Sequence, residues 1–277
     1  MFISVAAASS KGNVRVENED NYYIAGEYVA YEAMNAPCKM LKTLVDDGAP
    51  VICAVCDGMG GGSDGGYASH KVVSMLRNEL CELDPIRDEA AFTNALRHIS
   101  GKIERYAAER QLRLVGSTLV TASFLDGCLR ACNVGDSRAY ILRGRKLSQL
   151  SMDHSEVQRM VNMGILTKAE AAVSPRRHVI TQYMGMPSDE IVISPYYSEI
   201  VRVLEGDRIL LCSDGITDMV DDETLQLLLS TIETPERAAD AVVDAALQRG
   251  GADNATAIVA FAQERAGKSA KENILLS

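Results

Sequence analysis

Three apolar runs in the middle of the chain follow one another with gaps too short to hold a helix. They cover residues 118–124, 128–134 and 138–142, and the turn-forming pairs Asp126-Gly127 and Arg143-Gly144 lie at their ends. Strands joined by such tight turns pair antiparallel. Four further strand-like runs cover residues 3–8, 51–56, 209–212 and 256–261. This order differs from the regular strand–helix alternation of a parallel sheet and predicts an α+β fold with packed sheets and helices outside them.

Three long helices are predicted from periodicity and capping signals. Residues 67–82 carry apolar side chains on one helical face. Asp84-Pro85 resembles an N-cap followed by proline, which predicts a second helix running to about Arg110. Thr234-Pro235 repeats this start signal, and Gly250-Gly251 is expected to end the third helix.

The chain shows no linker, repeat or low-complexity block that would divide it. We therefore expect residues 1–265 to form a single domain. Residues 150–195 interrupt the strand order with short helical pieces, including the capping-box pattern of residues 167–170, and we interpret them as a flap inserted over a functional site. Residues 266–277 are expected to form a polar tail.

Charge and cysteine usage narrow the range of partners and locations. The formal net charge of −10 disfavours nucleic acid and anionic membranes as partners, because both bind basic surfaces. No apolar stretch approaches the roughly 20 residues that span a bilayer, so a cytoplasmic location is expected. The seven cysteines are scattered, which fits a reducing compartment. Cys53 and Cys56 lie three residues apart in one strand-like run, so we expect their thiols on opposite faces, not at a shared metal or redox site.

Acidic residues recur at the boundaries of the strand-like runs, where the backbone is rigid. The segments concerned are Asp57-Gly58, Asp136, Asp214-Gly215, Asp253-Asn254 and Asn18-Glu-Asp-Asn21. A glycine after an aspartate allows a sharp turn and exposes its own carbonyl oxygen. Oxygen ligands suit hard cations such as Mg²⁺ and Mn²⁺, whereas the four histidines show no metal-ligand spacing. A carboxylate site of this kind that holds two cations suits phosphoester hydrolysis.

A competing motif occupies the same region. Gly60-x-Gly62-x-x-Gly65 matches the spacing of a dinucleotide-binding fingerprint, follows a strand and precedes a helix. Asp57 and Asp64 would place negative charge beside a pyrophosphate, and a second helix follows in place of a parallel strand. We therefore favour the carboxylate site.

Taken together, the motifs resemble the metal-dependent protein phosphatases, the type 2C serine/threonine phosphatases, in their compact bacterial form. The matching segments, in order along the chain, are residues 12–21, 55–61, 116–118, 133–140, 153–155, 211–215 and 253–256. The resemblance implies a central β-sandwich of two antiparallel sheets, flanked by helices on both sides, with the metal ions at one end.

The resemblance also implies roles for individual residues. Asp57 would bridge two divalent cations, Mn²⁺ or Mg²⁺, and the Gly58 carbonyl would bind one of them. Asp214 and Asp253 would bind the other cation. Arg15 would hold the substrate phosphate, because a guanidinium matches phosphate oxygens.

The resemblance also bears on Glu19, Asp20, Met59 and Asp136. Glu19 and Asp20 would support metal-bound waters or ligate directly. Asp136, together with Asp214, would hold a third and weaker ion; the alternative is that Asp136 is a turn residue bonded to nearby backbone. Met59 stands where some relatives have a histidine that donates a proton, so the general acid remains unassigned.

The function implied is hydrolysis of phosphoserine and phosphothreonine on proteins by a water activated by two metal ions. The expected partners are phosphorylated proteins, among them a serine/threonine kinase whose action the enzyme opposes, and a monomer is expected. Two alternatives remain: a non-catalytic, phosphatase-like binding or sensor module, and a phosphatase of small molecules or of one dedicated regulatory protein.

Overall fold

The computed structural model of the chain describes residues 2–45, 48–60, 63–80, 82–189 and 191–263. The tail expected at residues 266–277 lies outside these ranges. The strands are β1 Phe2–Ser10, β2 Asn21–Ile24, β3 Glu27–Tyr28, β4 Cys38–Val45, β5 Val51–Cys56, β6 Gly58–Met59, β7 Gly116–Ser117, β8 Leu119–Leu125, β9 Cys128–Val134, β10 Arg138–Arg143, β11 Lys146–Gln149, β12 Tyr196–Tyr197, β13 Val201–Arg202, β14 Arg208–Cys212 and β15 Ala255–Gln263. The helices are α1 Ser63–Leu80, α2 Glu89–Arg110, α3 Glu156–Asn162, α4 Lys168–Ala172, α5 Asp214–Thr217, α6 Asp222–Thr231 and α7 Pro235–Gln248, with a 3₁₀ turn at Tyr31–Ala33.

Two antiparallel sheets form the centre of the fold. The first has the strand order β11-β10-β14-β15-β1-β4. The second has the order β12-β9-β8-β5-β2-β3, and β13 also pairs with β9. The expectation of consecutive antiparallel strands is confirmed by the β8–β9 and β10–β11 hairpins.

The hydrophobic core lies in three layers. Apolar side chains from both sheets, such as Val5, Val55 and Leu211, fill the space between the sheets. Helices α1 and α2 cover the outer face of the second sheet, and α5, α6 and α7 cover the outer face of the first. The chain is therefore a helix–sheet–sheet–helix sandwich, which confirms the expected α+β class and its flanking helices. Among the described helices, none combines the length and apolar character that crossing a membrane requires.

Local signals were correct at some helix ends and wrong at one. The Thr234 side chain caps α7, with Pro235 in its first turn, as expected. The capping box at Thr167 and Glu170 is also present. The prediction that Asp84-Pro85 begins the second helix is wrong. Asp84 instead closes a separate turn by accepting from the amides of residues 86 and 87, and Asp88 caps α2.

The two cysteines at positions 53 and 56 face opposite sides of β5, as expected. Cys53 lies in the core between the sheets, and Cys56 lies in the layer under α1 and α2. Burial raises the pKa of both thiols. Both are free cysteines with the character of buried apolar side chains.

The segment interpreted from the sequence as a flap, residues 150–195, begins after β11 and carries the short helices α3 and α4. Residues 162–179 are mostly exposed, with Ala171 buried between them and the rest of the molecule. The flap returns to the sandwich at Met184, whose backbone exchanges two hydrogen bonds with Ser117 of β7. Strand β7 in turn pairs with β6. The end of the flap is thus tied to the short strand that carries Gly58.

Candidate active site

The acidic side chains lie where strands of both sheets end on the same side of the sandwich. Asp57 directly follows β5, and Asp20 directly precedes β2, which pairs with β5 through Asn21 and Cys56. Asp214 lies two residues after the end of β14. Asp253 lies before β15, the strand that pairs antiparallel with β14. Antiparallel pairing places the end of one strand beside the start of the next. The two sheets therefore present their carboxylates to one another.

A cleft of about 560 Å³ collects most of the residues singled out from the sequence. Its lining includes Arg15, Glu19, Asp57, Gly58, Met59, Asp214 and Asp253. Asp20 is 1% exposed and is not part of this lining. Asp136 lines an adjoining cleft of about 350 Å³, which shares Asp214 with the first.

Asp57 and Asp214 lie close enough together for the charge of Asp214 to act on the Asp57 carboxyl group. Burial, followed by the charges of Asp20 and Asp214, raises the pKa of Asp57 well above its ordinary value. Burial also raises the pKa of Asp214. Two carboxylates this close cannot both ionise cheaply unless a cation lies between them. The pair therefore fits a site for a divalent cation.

Glu19 and Asp20 add oxygen atoms that no protein group satisfies. Oδ2 of Asp20 accepts a 2.7 Å hydrogen bond from the Ser213 hydroxyl, whereas its Oδ1 is buried without a partner. Oε1 of Glu19 is likewise buried and unpartnered. Burial raises the pKa of Asp20 to about 7 and also raises that of Glu19. Buried polar atoms are normally paired, so these oxygens fit a bound cation or its waters.

Arg15 contacts the acidic cluster from the rim of the cleft. Its guanidinium donates to Oδ2 of Asp253 at 2.7 Å, and its side chain is 51% exposed. This hydrogen bond is the largest cause that raises the pKa of Arg15. A partly exposed guanidinium has donors left for an incoming anion. The loop that carries Arg15 is held by its neighbour Asn13, whose side chain donates to the carbonyls of Leu247 and Gly250.

Backbone and side-chain contacts that the sequence reasoning did not assign hold the acidic residues in place. The Thr118 hydroxyl accepts from the amide of Asp57, and the amide of Thr118 donates to the Asp57 carbonyl. The Asn254 side chain accepts from the amide of Glu19 and donates to the carbonyls of Lys11 and Glu17. Thr118 and Asn254 lie within the segments that match the family. Their positions in these segments were the only sign in the sequence that they support the site.

The glycine run after β5 allows close packing of backbones. A side chain at Gly58 would collide with the carbonyls of Gly65 and Glu19, and one at Gly65 would collide with the Glu19 carboxylate. Gly62 of the fingerprint spacing lies outside the described residues. Helix α1 is followed by α2, and β8 then pairs antiparallel with β5. This topology argues against the dinucleotide-binding alternative and leaves the glycines a packing role at the site.

The structure also brings to the cleft three residues without an assigned role from sequence. Arg177 and His178 of the flap line it, as does Asp218 immediately after α5. Nδ1 of His178 lies 3.3 Å from Oδ2 of Asp218. The flap joins the site through a contact that spans 40 positions of sequence, and no local pattern signals such a contact.

Fold and site define a hydrolase-like sandwich whose functional end is an acidic cleft. Residues 35–250 match the family model described as protein phosphatase 2C. The match covers well over half of the chain, so the chain belongs to the protein phosphatase 2C family.

Relatives with known names agree with this assignment. The chain is 32% identical over 267 residues to the serine/threonine protein phosphatase PstP of Mycobacterium tuberculosis, which covers 94% of this chain and 45% of PstP. The chain thus spans about half the length of that relative. It is 31% identical over 218 residues to the serine/threonine phosphatase stp of Listeria monocytogenes, covering 77% of this chain and 84% of stp.

Solved structures share the fold. A crystal structure of Mycobacterium tuberculosis PstP has a TM-score of 0.77 and 31% identity, and the match covers 95% of this chain and all of that one. The catalytic domain of PstP in complex with two manganese ions has a TM-score of 0.74 at 28% identity, with the same coverage. The architecture of two antiparallel sheets with flanking helices is therefore the fold of this family.

Proposed function

We propose that this chain hydrolyses phosphoserine and phosphothreonine in proteins, with divalent cations held by the acidic cleft. The observation that carries the proposal is that three carboxylates beside Asp57 each have one buried oxygen without a protein partner: Oε1 of Glu19, Oδ1 of Asp20 and Oδ1 of Asp214. Such a cluster is costly to ionise without cations. Membership of the protein phosphatase 2C family and the names of the relatives support the same reaction.

The proposed cation ligands are the residues that meet at the strand ends. Asp57, the Gly58 carbonyl, Asp214 and Asp253 would hold the cations. Asp20 and Glu19 would complete the two shells directly or through water. Bound there, the cations would supply Lewis-acid activation of water and neutralise phosphate oxygens. Oxygen ligands suit Mn²⁺ and Mg²⁺ alike.

Arg15 would bind and orient the substrate. Its guanidinium lies at the rim of the cleft, hydrogen-bonded to Asp253 and half exposed. A guanidinium can donate two parallel hydrogen bonds to phosphate oxygens and so fix the direction of the scissile bond. This fixed orientation supports direct attack by water opposite the departing seryl or threonyl oxygen.

The proton for the leaving group has no assigned donor among the residues named from sequence. Met59 lines the cleft and carries no ionisable proton. Asp57 is proposed as a cation ligand, which requires its ionised form, so it is not a proton donor. The proposal therefore leaves proton donation to water that enters the cleft.

The proposed substrates are phosphorylated proteins, including a serine/threonine kinase that the enzyme opposes. A phosphatase dedicated to one regulatory protein is the second candidate: the matching Pseudomonas aeruginosa protein PppA, at 29% identity and a TM-score of 0.74, is described as a regulatory component of a secretion system. We further propose a cytoplasmic monomer in a single domain of residues 1–265 with its flap at 150–195. A non-catalytic module is disfavoured because each expected acidic position is filled.

Hydrolysis of a phosphothreonine peptide in Mn²⁺ by substituted proteins tests this proposal. Asp57→Asn and Asp214→Asn should each lower kcat by ~100-fold or more, since a catalytic cation contributes several kcal/mol to the transition state. Asp126→Asn, in an exposed turn with φ of 53°, is the matched control, because asparagine tolerates that backbone conformation. Wild-type rates in both site variants would overturn the assignment.

A further inference from the structure

Two valines on either side of Arg15 are exposed at the rim of the acidic cleft. Val14 is 68% exposed and Val16 is 85% exposed. Among the described residues, neither belongs to one of the three hydrophobic clusters that form the core. Single exposed apolar residues are common on protein surfaces. These two differ from such residues, because each is joined directly to the residue that is proposed to bind the substrate phosphate.

Hydrogen bonds hold the loop that carries the two valines. The amide of Asn13 donates to the carbonyl of Gly251 at 2.8 Å. The side chain of Asn254 donates to the carbonyls of Lys11 and Glu17, both at 2.9 Å, and so joins one end of the loop to the other. The loop backbone is therefore fixed, and it presents two apolar side chains to solvent in a defined place.

A methionine continues this apolar surface on the side of Val14. Met219 follows α5 and lines the cleft. A side chain at Gly250 would lie 4.0 Å from the Met219 sulfur, and the Gly250 carbonyl accepts a hydrogen bond from Asn13, the neighbour of Val14. Methionine is flexible and adapts to apolar partners of different shape. We call Val14, Val16 and Met219 the apolar rim.

We propose that the apolar rim binds apolar side chains of the protein substrate beside its phosphorylated residue. The proposal rests on the proposed function, since it takes Arg15 as the group that binds the phosphate. The Cα atoms of Val14 and Val16 lie about 3.8 Å from that of Arg15, and an extended substrate advances about 3.3 Å per residue. A phosphate held by Arg15 therefore brings the neighbouring substrate residues within reach of the rim. Contact there removes apolar surface of both partners from water, which favours binding.

The test compares kcat/KM for three phosphothreonine peptides in Mn²⁺. The peptides differ only at the two positions before and the two positions after the phosphothreonine, which are leucine, glutamine or lysine. We expect the wild type to favour the leucine peptide over the glutamine peptide by about 10-fold, the lower end of the discrimination that hydrophobic contacts give. The double variant Val14→Thr with Val16→Thr keeps the branched shape but adds hydroxyl groups. It should hydrolyse these two peptides with nearly equal kcat/KM.

Two controls separate loss of the apolar contact from other effects. Leu41→Thr is the matched variant, because Leu41 is 56% exposed on β4 and is not part of the cleft lining. It should keep the wild-type preference for leucine. Turnover of p-nitrophenyl phosphate, which has no side chains beside its phosphate, reports damage to the cation site. The double variant should lose more activity on the leucine peptide than on this compound.

Three results would overturn the proposal. They are equal kcat/KM for the leucine and glutamine peptides in the wild type, a higher kcat/KM for the lysine peptide than for the leucine peptide, and a preference for leucine that survives in the double variant. The proposed function would stand in each case, provided that Asp57→Asn abolishes the hydrolysis. Failure of the proposed function would appear differently, as peptide hydrolysis that is unaffected by Asp57→Asn or as no hydrolysis of any peptide.

Discussion

The carboxylates at the strand ends repel one another, and the basic side chains nearby neutralise only part of their charge. Asp57 lies within the influence of the charges of Asp214 and Asp20, and Asp20 is buried. The ion pair between Arg15 and Asp253 engages one carboxylate at the edge of this group. The cluster lowers the free energy of unfolding of the cation-free protein, and cation binding raises it again.

The stability of the cation-free protein should therefore fall as pH rises. The pKa of Asp20 is about 7 in the folded state against an ordinary value of 3.8. Between these values the folded state holds a proton that the unfolded chain has released, so unfolding becomes more favourable with rising pH. In EDTA, thermal unfolding should show Tm decreasing from pH 5 to pH 8, with a shallower slope for Asp20→Asn.

Mn²⁺ should raise Tm more at pH 8 than at pH 5, because cation binding requires ionised carboxylates. Asp126→Asn serves as the control with the wild-type slope. A Tm in EDTA that rises steadily over this range would show that the buried carboxylates are not protonated in the folded state.

Arg15 should govern substrate binding more than fold stability, since it is half exposed. Arg15→Lys keeps the charge but loses the two-pronged geometry. Loss of a charged hydrogen bond costs about 1.5–3 kcal/mol, which corresponds to a fall in kcat/KM of about 10–100-fold. Steady-state kinetics on a phosphothreonine peptide measure this, with Arg87→Lys on the surface as control. Equal kcat/KM for Arg15→Lys and the wild type would remove Arg15 from substrate binding.

Asp57 and Asp214 were predictable because a strand followed by Asp-Gly is a local pattern, and Asp253 because it directly precedes a strand-like run. Asp57, Asp214 and Asp253 could be placed at strand boundaries without knowledge of the fold. Nothing local linked them to His178 or Asp218, since that contact depends on how the flap folds back. The pairing of Arg15 with Asp253, 238 positions apart, is likewise a property of the tertiary structure.

At the scale of elements, the site depends on backbones that approach one another closely. Strand β6, helix α1 and the Glu19 segment meet where Gly58 and Gly65 leave no room for a side chain. The amide of Gly58 donates to the carbonyl of Glu19 at 3.1 Å. The start of α1 thus fixes both the Gly58 carbonyl and the Glu19 carboxylate.

Gly65→Ala should impair activity through this contact. The new methyl group would push against the Glu19 carboxylate, so we expect a lower Tm and a loss of hydrolysis of about tenfold or more, as small displacements at a site cost up to 10²-fold. Gly101→Ala, in α2 with open space around it, is the control and should raise stability by about 0.5–1 kcal/mol. Thermal unfolding and peptide hydrolysis of both variants would measure this. Full activity in Gly65→Ala would show that α1 does not position the site.

Element boundaries were less predictable than element types. Asp84-Pro85 carries a start signal, but Asp84 closes a separate turn and α2 begins after Asp88. Strand β4 was not predicted either. It pairs only with β1 at the edge of its sheet, so half of its residues face solvent and its apolar pattern is weak.

At the scale of the whole molecule, a rigid sandwich supports a more exposed flap. Strands β8 and β9 are buried along most of their length, whereas residues 162–179 are mostly exposed. Hydrogen exchange should therefore be slowest in β8 and β9 and faster by orders of magnitude in the outer flap, because opening a segment with few buried contacts costs less free energy. Mass spectrometry of exchanged peptides measures this difference. Equal protection from hydrogen exchange in residues 162–179 and in β8 and β9 would contradict this expectation.

The layered architecture could be predicted from the sequence, whereas the position of the flap on the sandwich could not. Hairpins and helix periodicity are local, and they indicate packed antiparallel sheets with helices outside. The flap is held at Met184 by β7 and near the site by His178 and Asp218, through contacts between distant segments. Such contacts depend on the assembled sandwich.

Dependence of the acidic cleft on divalent cations is tested most directly by peptide hydrolysis with metal-stripped protein before and after Mn²⁺ is added. We expect no detectable release of phosphate from a phosphothreonine peptide in EDTA, recovery in excess Mn²⁺ for the wild type, and no recovery for Asp57→Asn. A rate in EDTA equal to that in Mn²⁺ would contradict the claim that the acidic cleft acts through divalent cations.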